Sequence, residues 1–338
     1  MAAMLSRGSR QPVWVNSRRA AWMCMVLICG VFWALVVVLV NVWLQADELS
    51  HVAILPALLL VASLLFSLWC PSLINAITRY RVRQLRRAMA RGDIRAWYQP
   101  MVSGAQGQVS GCEVLARWHL PGGRIRGAER FIPLAEQHDL IVPMTSLLVR
   151  QACHDLAQMQ ILLPVGFDVS INLSAAHAGS TQFLQDCRRL QQVLASRAGR
   201  VTAEVGERAV LSQVPGGRQL LLSLREAGIR VMLDDFATGS QGLVELETLP
   251  VDGFKIDRRH VRDLPDGGPV PMAALMIHLA RLMSLDVIAE GVENQAQHEW
   301  LLAQGIGQQQ GYYFAPALQA HGLAQYLAND ALIKGAIV

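Results

Sequence analysis

The chain has 338 residues and a formal net charge of +4 at pH 7. This basic excess does not indicate a DNA or RNA partner, because the arginines are concentrated beside two apolar segments, where they would contact anionic membrane lipid. Six cysteines are spread along the chain, and none shows the spacing of zinc ligands. We therefore expect reduced thiols in a cytoplasmic compartment.

The two apolar segments predict a transmembrane hairpin within residues 20–76. The first runs from Ala20 to Leu44 and the second from Val52 to Ile74, and neither contains a charged residue. At 1.5 Å rise per residue, each is long enough to cross a hydrocarbon core of about 30 Å. Residues 45–51 between them are too few for a folded sensor domain.

Arginines lie on the outer side of both segments, in the N-terminal residues 1–19 and in a basic juxtamembrane linker, residues 77–93. By the positive-inside rule, this distribution predicts that both chain ends face the cytoplasm and that membrane lipid is a partner. A cleaved signal peptide is the alternative for the first segment. Its apolar core is longer than the roughly 7–15 residues of such a peptide, which disfavours that reading.

Residues 94–338 have the length of one (β/α)8 TIM-like barrel, which typically takes about 250 residues. Short β-rich segments alternate with helical segments such as Met144–Met159, and this alternation predicts an α/β fold with a parallel sheet. The expected architecture is therefore a two-helix transmembrane hairpin followed by a barrel. The predicted strands are Trp97–Gln99, Val109–Trp118, Phe167–Leu173, Val201–Val205, Ile229–Leu233, Gly253–Ile256, Asp286–Ala289 and Gly311–Phe314.

Five of these strands end in side chains that carry oxygen ligands. The residues are Glu113, Asn172, Glu204, the pair Asp234 and Asp235, and Glu290. Because the carboxyl ends of barrel strands meet on one face, we expect these side chains to gather there. Carboxylate and amide oxygens suit Mg²⁺ or Mn²⁺ rather than zinc. An aspartate pair taken alone is equally compatible with a helix cap or a turn.

Seven short motifs occur in order along the predicted barrel. They are Glu113–Trp118, Ile171–Ser174, Glu204–Glu207, Asp234–Phe236, Lys255–Asp257, Ala289–Glu293 and Gln310–Tyr312. In this order they resemble the EAL-domain cyclic di-GMP (c-di-GMP) phosphodiesterases. Other segments are similar to a membrane-bound subgroup, the CSS-motif proteins, whose spans bracket a periplasmic sensor that is missing here. The resemblance implies a protein of the bacterial inner membrane that hydrolyses c-di-GMP in the cytoplasm and forms homodimers through the barrel.

The resemblance also implies a role for each matching residue. Two divalent ions, Mg²⁺ or Mn²⁺, would be held by Glu113, Asn172, Glu204, Asp234 and Asp235, whereas Ca²⁺ would inhibit. Lys255, Glu290 and Gln310 would act on the attacking water, or Lys255 would stabilise developing negative charge. Substrate contacts would come from Gln99, Leu115 and Arg117, and Glu207 would brace the loop that follows Asp235.

Several of these residues also have a purely structural interpretation. Lys255 and Asp257 are compatible with a solvated strand end. Arg117 is able to pair with Glu113 in a salt bridge, although a buried pair is costly. Asn172 is a common helix N-cap.

The loop after Asp235 departs from the family pattern. Ala237 stands where the family usually has glycine, Ser240 where it has tyrosine, and Gly206 replaces a threonine on the preceding strand. Alanine restricts a position where glycine adopts positive φ freely. Two function classes therefore stay open: a membrane-anchored phosphodiesterase that converts c-di-GMP to pGpG, and a catalytically weak c-di-GMP receptor or protein-interaction regulator. A barrel glycosidase fits poorly with Asn172 and Lys255.

Overall fold

The computed structural model describes residues 54–206, 214–236, 249–265 and 271–335, together with residues 37, 38 and 246. Within these ranges the side chains of residues 54–72, 235 and 333–335 are not described. The chain divides into two compact units. One contains residues up to Arg87 and residues 129–133, and the other contains residues 88–128 and everything from Leu134 onward.

The first long described segment is a helix, α1 (Ile54–Arg91). It starts within the second predicted span and continues without a break through most of the basic linker, so residues 77–91 are helical. The first predicted span lies outside the described residues, apart from residues 37 and 38. Among the described residues, no helix is both long and apolar enough to cross a membrane.

A curled sheet forms the core of the larger unit. Its strands are β1 (Ile94–Ser103), β2 (Gln108–His119), β3 (Ile125–Gly127), β4 (Asp168–Leu173), β5 (Arg200–Gly206), β6 (Arg230–Phe236), β7 (Gly253–Ile256) and β8 (Asp286–Ala289). The order is β1-β2-β4-β5-β6-β7-β8, and β3 pairs with the last residues of β2. All pairings from β2 to β8 along this path are parallel, as predicted.

The first two strands differ from the regular (β/α)8 pattern, because β1 pairs with β2 in an antiparallel hairpin. A parallel crossover needs a dozen or more residues, and only a short turn separates Ser103 from Gln108. The prediction of a strand at Gly311–Phe314 is wrong, since these residues form a turn. The sheet is joined between β8 and β1 by single bridges at Gln309, to Ala289 on one side and to Val102 on the other.

Helices alternate with the parallel strands along the chain, as crossover connections require, and two more follow the last strand. They are α2 (Ile132–Gln137), α3 (Ile141–Gln158), α4 (Gln182–Leu194), α5 (Gly217–Glu226), α6 (Arg258–Val261), α7 (Met272–Met283), α8 (Gln295–Ala303) and α9 (Ala320–Gly335). The predicted helical segments Met144–Met159 and Met272–Met283 are confirmed. Inside the curl, Met101, Met232 and Ile288 form a buried apolar cluster.

Candidate active site

Strand alternation places the polar residues directly above this apolar cluster. Side chains two residues apart on a strand share a face. Asp234 therefore follows Met232 on the inner face of β6, and Glu290 follows Ile288 at the end of β8. Lys255 follows Gly253 on β7. The same geometry that packs apolar groups at one level of the sheet gathers carboxylates at the next.

Lys255 lies at the centre of the candidate site and is completely buried. Its Nζ lies 2.9 Å from a carboxylate oxygen of Glu204, 3.3 Å from Glu113 and 3.8 Å from Asp234, and it also pairs with Glu290. The interpretation of Lys255 as a solvated strand end is therefore wrong. Four carboxylates from four elements converge on one ammonium.

Glu113 accepts hydrogen bonds through both of its carboxylate oxygens. Its Oε1 accepts a hydrogen bond from Asn172 Nδ2 at 2.9 Å, and its Oε2 accepts one from Gln310 Nε2 at 2.9 Å in addition to the contact with Lys255. Asn172 thus bonds a site carboxylate and does not act as a helix cap. Together these contacts bring the middle of β2, the end of β4 and the segment after β8 into one cluster.

Gln310 reaches the cluster because its backbone is bonded to β8. Its N–H donates to the Ala289 carbonyl at 2.8 Å, and its own carbonyl accepts from Val292 N–H at 3.1 Å. Gly311 makes this approach possible, since a Cβ at that position would collide with the backbone of Val292. Glycine is therefore required at this position for steric reasons.

The charges in the cluster are unbalanced, with four carboxylates facing one ammonium. Burial alone would lower the pKa of Lys255, but Glu113, Glu204, Glu290 and Asp234 raise it well above its ordinary value, so Lys255 is an ammonium. Burial raises the pKa of Glu204 well above its usual range, and Glu113 adds to the effect. Burial likewise raises the pKa of Glu290, to about 8. One lysine therefore offsets only part of the negative charge that Glu204 and Glu290 would add to the cluster if ionised.

The pKa of Glu113 shifts in the opposite direction from those of Glu204 and Glu290, because its bonding partners have a larger effect than its burial. Burial would raise the pKa of Glu113, but Lys255, Gln310 and Asn172 together lower it. The cluster thus contains one firmly ionised acid beside two that tend to hold a proton. Such divergence of pKa values among close carboxylates is typical of catalytic or metal-binding sites.

The arrangement has the chemistry to receive cations, although no three His, Cys, Asp or Glu side chains in the described ranges form a ready metal cluster. Lys255 lies among the acids that would be ligands. Glu204 Oε1 and Gln310 Oε1 are buried and accept no hydrogen bond from the residues that the structure describes. Unpaired buried oxygens and excess negative charge both favour a divalent ion with oxygen ligands. The residues present therefore fit Mg²⁺ or Mn²⁺.

Two of the predicted site residues lie wholly or partly outside the described part of the chain. The backbone of Asp235 is in β6, but its side chain is not described, and Glu207 lies outside the described residues. The altered positions Ala237 and Ser240 also lie outside them. Gly206 is described, pairs in register with Asp234, and has open space where a side chain would begin.

The predicted substrate residues share the inner face of the β1–β2 hairpin. Gln99 lies directly opposite Glu113, and Leu115 and Arg117 follow Glu113 at alternate positions on β2. Arg117 donates from Nη1 to the carbonyl of Ala116 at 3.0 Å, and it makes no ion pair with Glu113 among the described contacts. Trp97, which carries no predicted role, lies opposite Leu115 on the same face. The short connection of the hairpin is the sequence signal that would place it there.

The model of the EAL domain family matches residues 82–317 of the chain. The chain belongs to the EAL domain family. The probable c-di-GMP phosphodiesterase PdeG of Escherichia coli (strain K12) is 40% identical over 251 residues, which cover 74% of this chain and 50% of that protein. The c-di-GMP phosphodiesterase PdeL of the same strain is 35% identical, with 68% and 64% covered. The EAL chain thus spans about half to two thirds of these two relatives.

Solved EAL structures share the fold. The EAL enzyme Bd1971 in its cAMP-bound form has a TM-score of 0.66 and 26% identity, covering 79% of this chain and 75% of that one. The PaMucR phosphodiesterase in complex with c-di-GMP has a TM-score of 0.62 and 28% identity, covering 72% and 98%. The curled sheet with its hairpin is therefore an EAL-type barrel.

Proposed function

We propose that this EAL chain is a c-di-GMP-specific phosphodiesterase that hydrolyses c-di-GMP to pGpG. The observation that carries the proposal is the convergence of Glu113, Glu204, Asp234 and Glu290 on the buried ammonium of Lys255. So many acids in one buried cluster cost stability, which a structural role does not explain. The names of two relatives, the probable c-di-GMP phosphodiesterase PdeG and the c-di-GMP phosphodiesterase PdeL, support the same substrate.

Two divalent ions, Mg²⁺ or Mn²⁺, would be held by Glu113, Asn172, Glu204, Asp234 and Asp235, with Glu290 beside them. When bound, such ions supply an activated water and neutralise negative charge at phosphorus. The surrounding carboxylates hold Lys255 as an ammonium by raising its pKa, and in that state it would stabilise developing negative charge. Gln310 orients Glu113 through its Nε2 hydrogen bond and offers a free buried Oε1 to the attacking water.

The first test is hydrolysis of c-di-GMP by the purified protein in Mg²⁺, Mn²⁺, Ca²⁺ or EDTA. We expect pGpG in Mg²⁺ or Mn²⁺ and almost none in EDTA. Ca²⁺ should inhibit, because its longer and less regular oxygen contacts misplace the reacting groups. Equal product formation in EDTA would contradict the two-metal proposal. Binding of c-di-GMP without turnover in any metal would favour the receptor function instead.

The receptor alternative rests on the loop that contains Ala237 and Ser240, which departs from the family pattern. A misplaced catalytic group costs on the order of a hundredfold in rate per ångström, while affinity is less affected. The complete set of site acids favours the enzyme, since a pure binder does not require every metal ligand. The receptor would bind c-di-GMP and act on a protein partner.

A second prediction concerns stability in the absence of metal. The pKa of Glu290 lies at about 8 in the folded protein, against an ordinary value of 4.5. Between these values the folded state holds more protons than the unfolded state, so the free energy of unfolding falls as pH rises from about 4.5 to 8. A bound divalent ion favours the ionised carboxylates. Mg²⁺ should therefore raise Tm more at pH 8 than at pH 5.

Thermal unfolding in EDTA and in Mg²⁺, measured across this pH range, checks the prediction. The variant Glu290→Gln should show a shallower fall of Tm with pH in EDTA, because the titrating carboxyl is gone. As a control, Glu299→Gln removes an exposed carboxylate on α8 and should leave the slope unchanged. A Mg²⁺ effect that is the same at both pH values would count against metal binding by these acids.

The membrane anchor is part of the proposal. The charge-free segments Ala20–Leu44 and Val52–Ile74 and the flanking arginines support an inner-membrane hairpin of the CSS-like subgroup with the EAL domain in the cytoplasm. A reporter fused after Asp47 should appear in the periplasm and one fused at Val338 in the cytoplasm. The opposite pattern would contradict both the topology and access to a cytoplasmic nucleotide. The family resemblance also supports a homodimer, which light scattering of the purified protein tests.

A further inference from the structure

The inner face of the β1–β2 hairpin continues beyond the four acids as a strip of cationic and aromatic residues. Arg95 lies directly opposite Arg117, and Trp97 directly opposite Leu115. Residues that face each other across an antiparallel pair have Cβ atoms about 4.5–5.5 Å apart, and like charges at such positions destabilise the sheet. The pair of arginines therefore calls for a functional explanation.

Neither arginine is neutralised by an acid among the described side chains. Arg117 donates to the Ala116 carbonyl, and Arg95 is exposed. The nearest acid in sequence is Asp93, which pairs with Arg91 at 2.7 Å. Two arginines at paired positions, without a carboxylate partner among the described side chains, suit a phosphate, since guanidinium binds phosphate oxygens through paired hydrogen bonds.

Trp97 lies between this arginine pair and the site acids. Its indole Nε1 donates to His119 Nε2 at 3.1 Å, and the two rings are tilted at 57°. Burial and the charge of Arg95 lower the pKa of His119, which keeps the imidazole neutral and able to accept this bond. The hydrogen bond holds the indole by one edge. The ring is only partly buried, so it is able to stack on a flat ligand group.

We infer that Arg95 and Trp97 form a second recognition strip for the dinucleotide. Arg95 acts with Arg117 on the phosphate that is not cleaved, and Trp97 stacks on a guanine base. This inference rests on the proposed function. From Glu113 to Arg117 the strand advances by about 13 Å at roughly 3.3 Å per residue. A ligand with a single phosphate at the acids does not also supply a phosphate to the arginines, whereas c-di-GMP carries two.

The test compares Arg95→Gln with the matched control Arg126→Gln in the full chain. Arg126 is on β3, opposite Trp118, and its guanidinium lies over the Trp118 ring at 4.9 Å on the other face of β2. Affinity for c-di-GMP is measured by calorimetry in Ca²⁺, and kcat and KM are measured in Mg²⁺. We expect Arg95→Gln to raise Kd and KM about tenfold or more with little change in kcat. The control should match the wild type.

Trp97 is tested by a conservative and a disruptive substitution. Trp97→Phe keeps an aromatic face and should raise Kd by no more than about threefold, whereas Trp97→Leu should raise it roughly fivefold to a hundredfold. Hydrolysis of bis(p-nitrophenyl) phosphate, which has one phosphodiester, separates recognition from chemistry. Arg95→Gln should lose much less activity towards this compound than towards c-di-GMP, because only c-di-GMP carries the second phosphate.

The outcomes distinguish this inference from the proposed function. If the wild type neither binds nor hydrolyses c-di-GMP, the proposed function is wrong and the inference falls with it. If the wild type is active and Arg95→Gln and Trp97→Leu keep wild-type Kd and KM, the inference alone is wrong. An equal loss in Arg126→Gln would show a general charge effect and would also overturn it.

Discussion

Replacing Lys255 by methionine should abolish hydrolysis of c-di-GMP and destabilise the metal-free protein by about 3–5 kcal/mol, the usual cost of removing one partner from a buried ion pair. Lys255 is completely buried, and its ammonium contacts Glu113, Glu204, Asp234 and Glu290. Methionine fills nearly the same volume without a charge. The four carboxylates would then face one another with no cation supplied by the protein.

Chemical denaturation and steady-state kinetics check this prediction. Mg²⁺ should recover part of the lost stability, because bound ions replace the missing positive charge, but it should not recover the rate. Arg225→Met is the matched control, since Arg225 pairs with Asp252 at 2.9 Å on the surface. Exposed pairs contribute only about 0–1 kcal/mol. A Lys255→Met protein with wild-type stability and rate would show that the cluster does not depend on this ammonium.

The sequence predicted the inner residues of the site better than the strand connections around it. Asn172, Glu204 and Asp234 lie within two residues of the ends of apolar strands, and the rule that barrel strands meet at their carboxyl ends was enough to bring them together. Glu113 lies instead in the middle of β2, which continues past the site in the hairpin with β1. Lys255 was harder to interpret, because a lysine after a short apolar run is usually solvated. Only the four surrounding acids explain its burial, and those acids come from distant parts of the chain.

The hairpin and the junction between β8 and β1 were missed for a physical reason. The β-rich pattern of β1 and β2 predicts strands but not their direction, which depends on the length of the turn between Ser103 and Gln108. At the other end, Gln309 is joined to its neighbours by isolated bridges. A single bridged residue leaves no periodic pattern in a sequence, so the aromatic run after it was mistaken for the strand.

Replacing Glu113 by glutamine should lower the rate of c-di-GMP hydrolysis by roughly 10²–10³-fold or more, the range found when a stabilising group at a reacting centre is removed. Glutamine keeps the size of the side chain but carries no charge. Glu113 accepts hydrogen bonds from Asn172, Gln310 and Lys255. The amide of glutamine has one oxygen for these donors, and its NH₂ group would face at least one of them.

The effect on stability should be much smaller than the effect on rate. One mismatched buried hydrogen bond costs about 1–3 kcal/mol, and the barrel core below the site is unchanged. Glu113→Ala should cost more stability than Glu113→Gln, because all three donors lose their acceptor. Circular dichroism and Tm establish that each variant is folded, and Glu299→Gln serves as the surface control. A folded Glu113→Gln protein that turns over c-di-GMP at the wild-type rate would remove Glu113 from the active site, and would leave the ion pair with Lys255 as a structural contact.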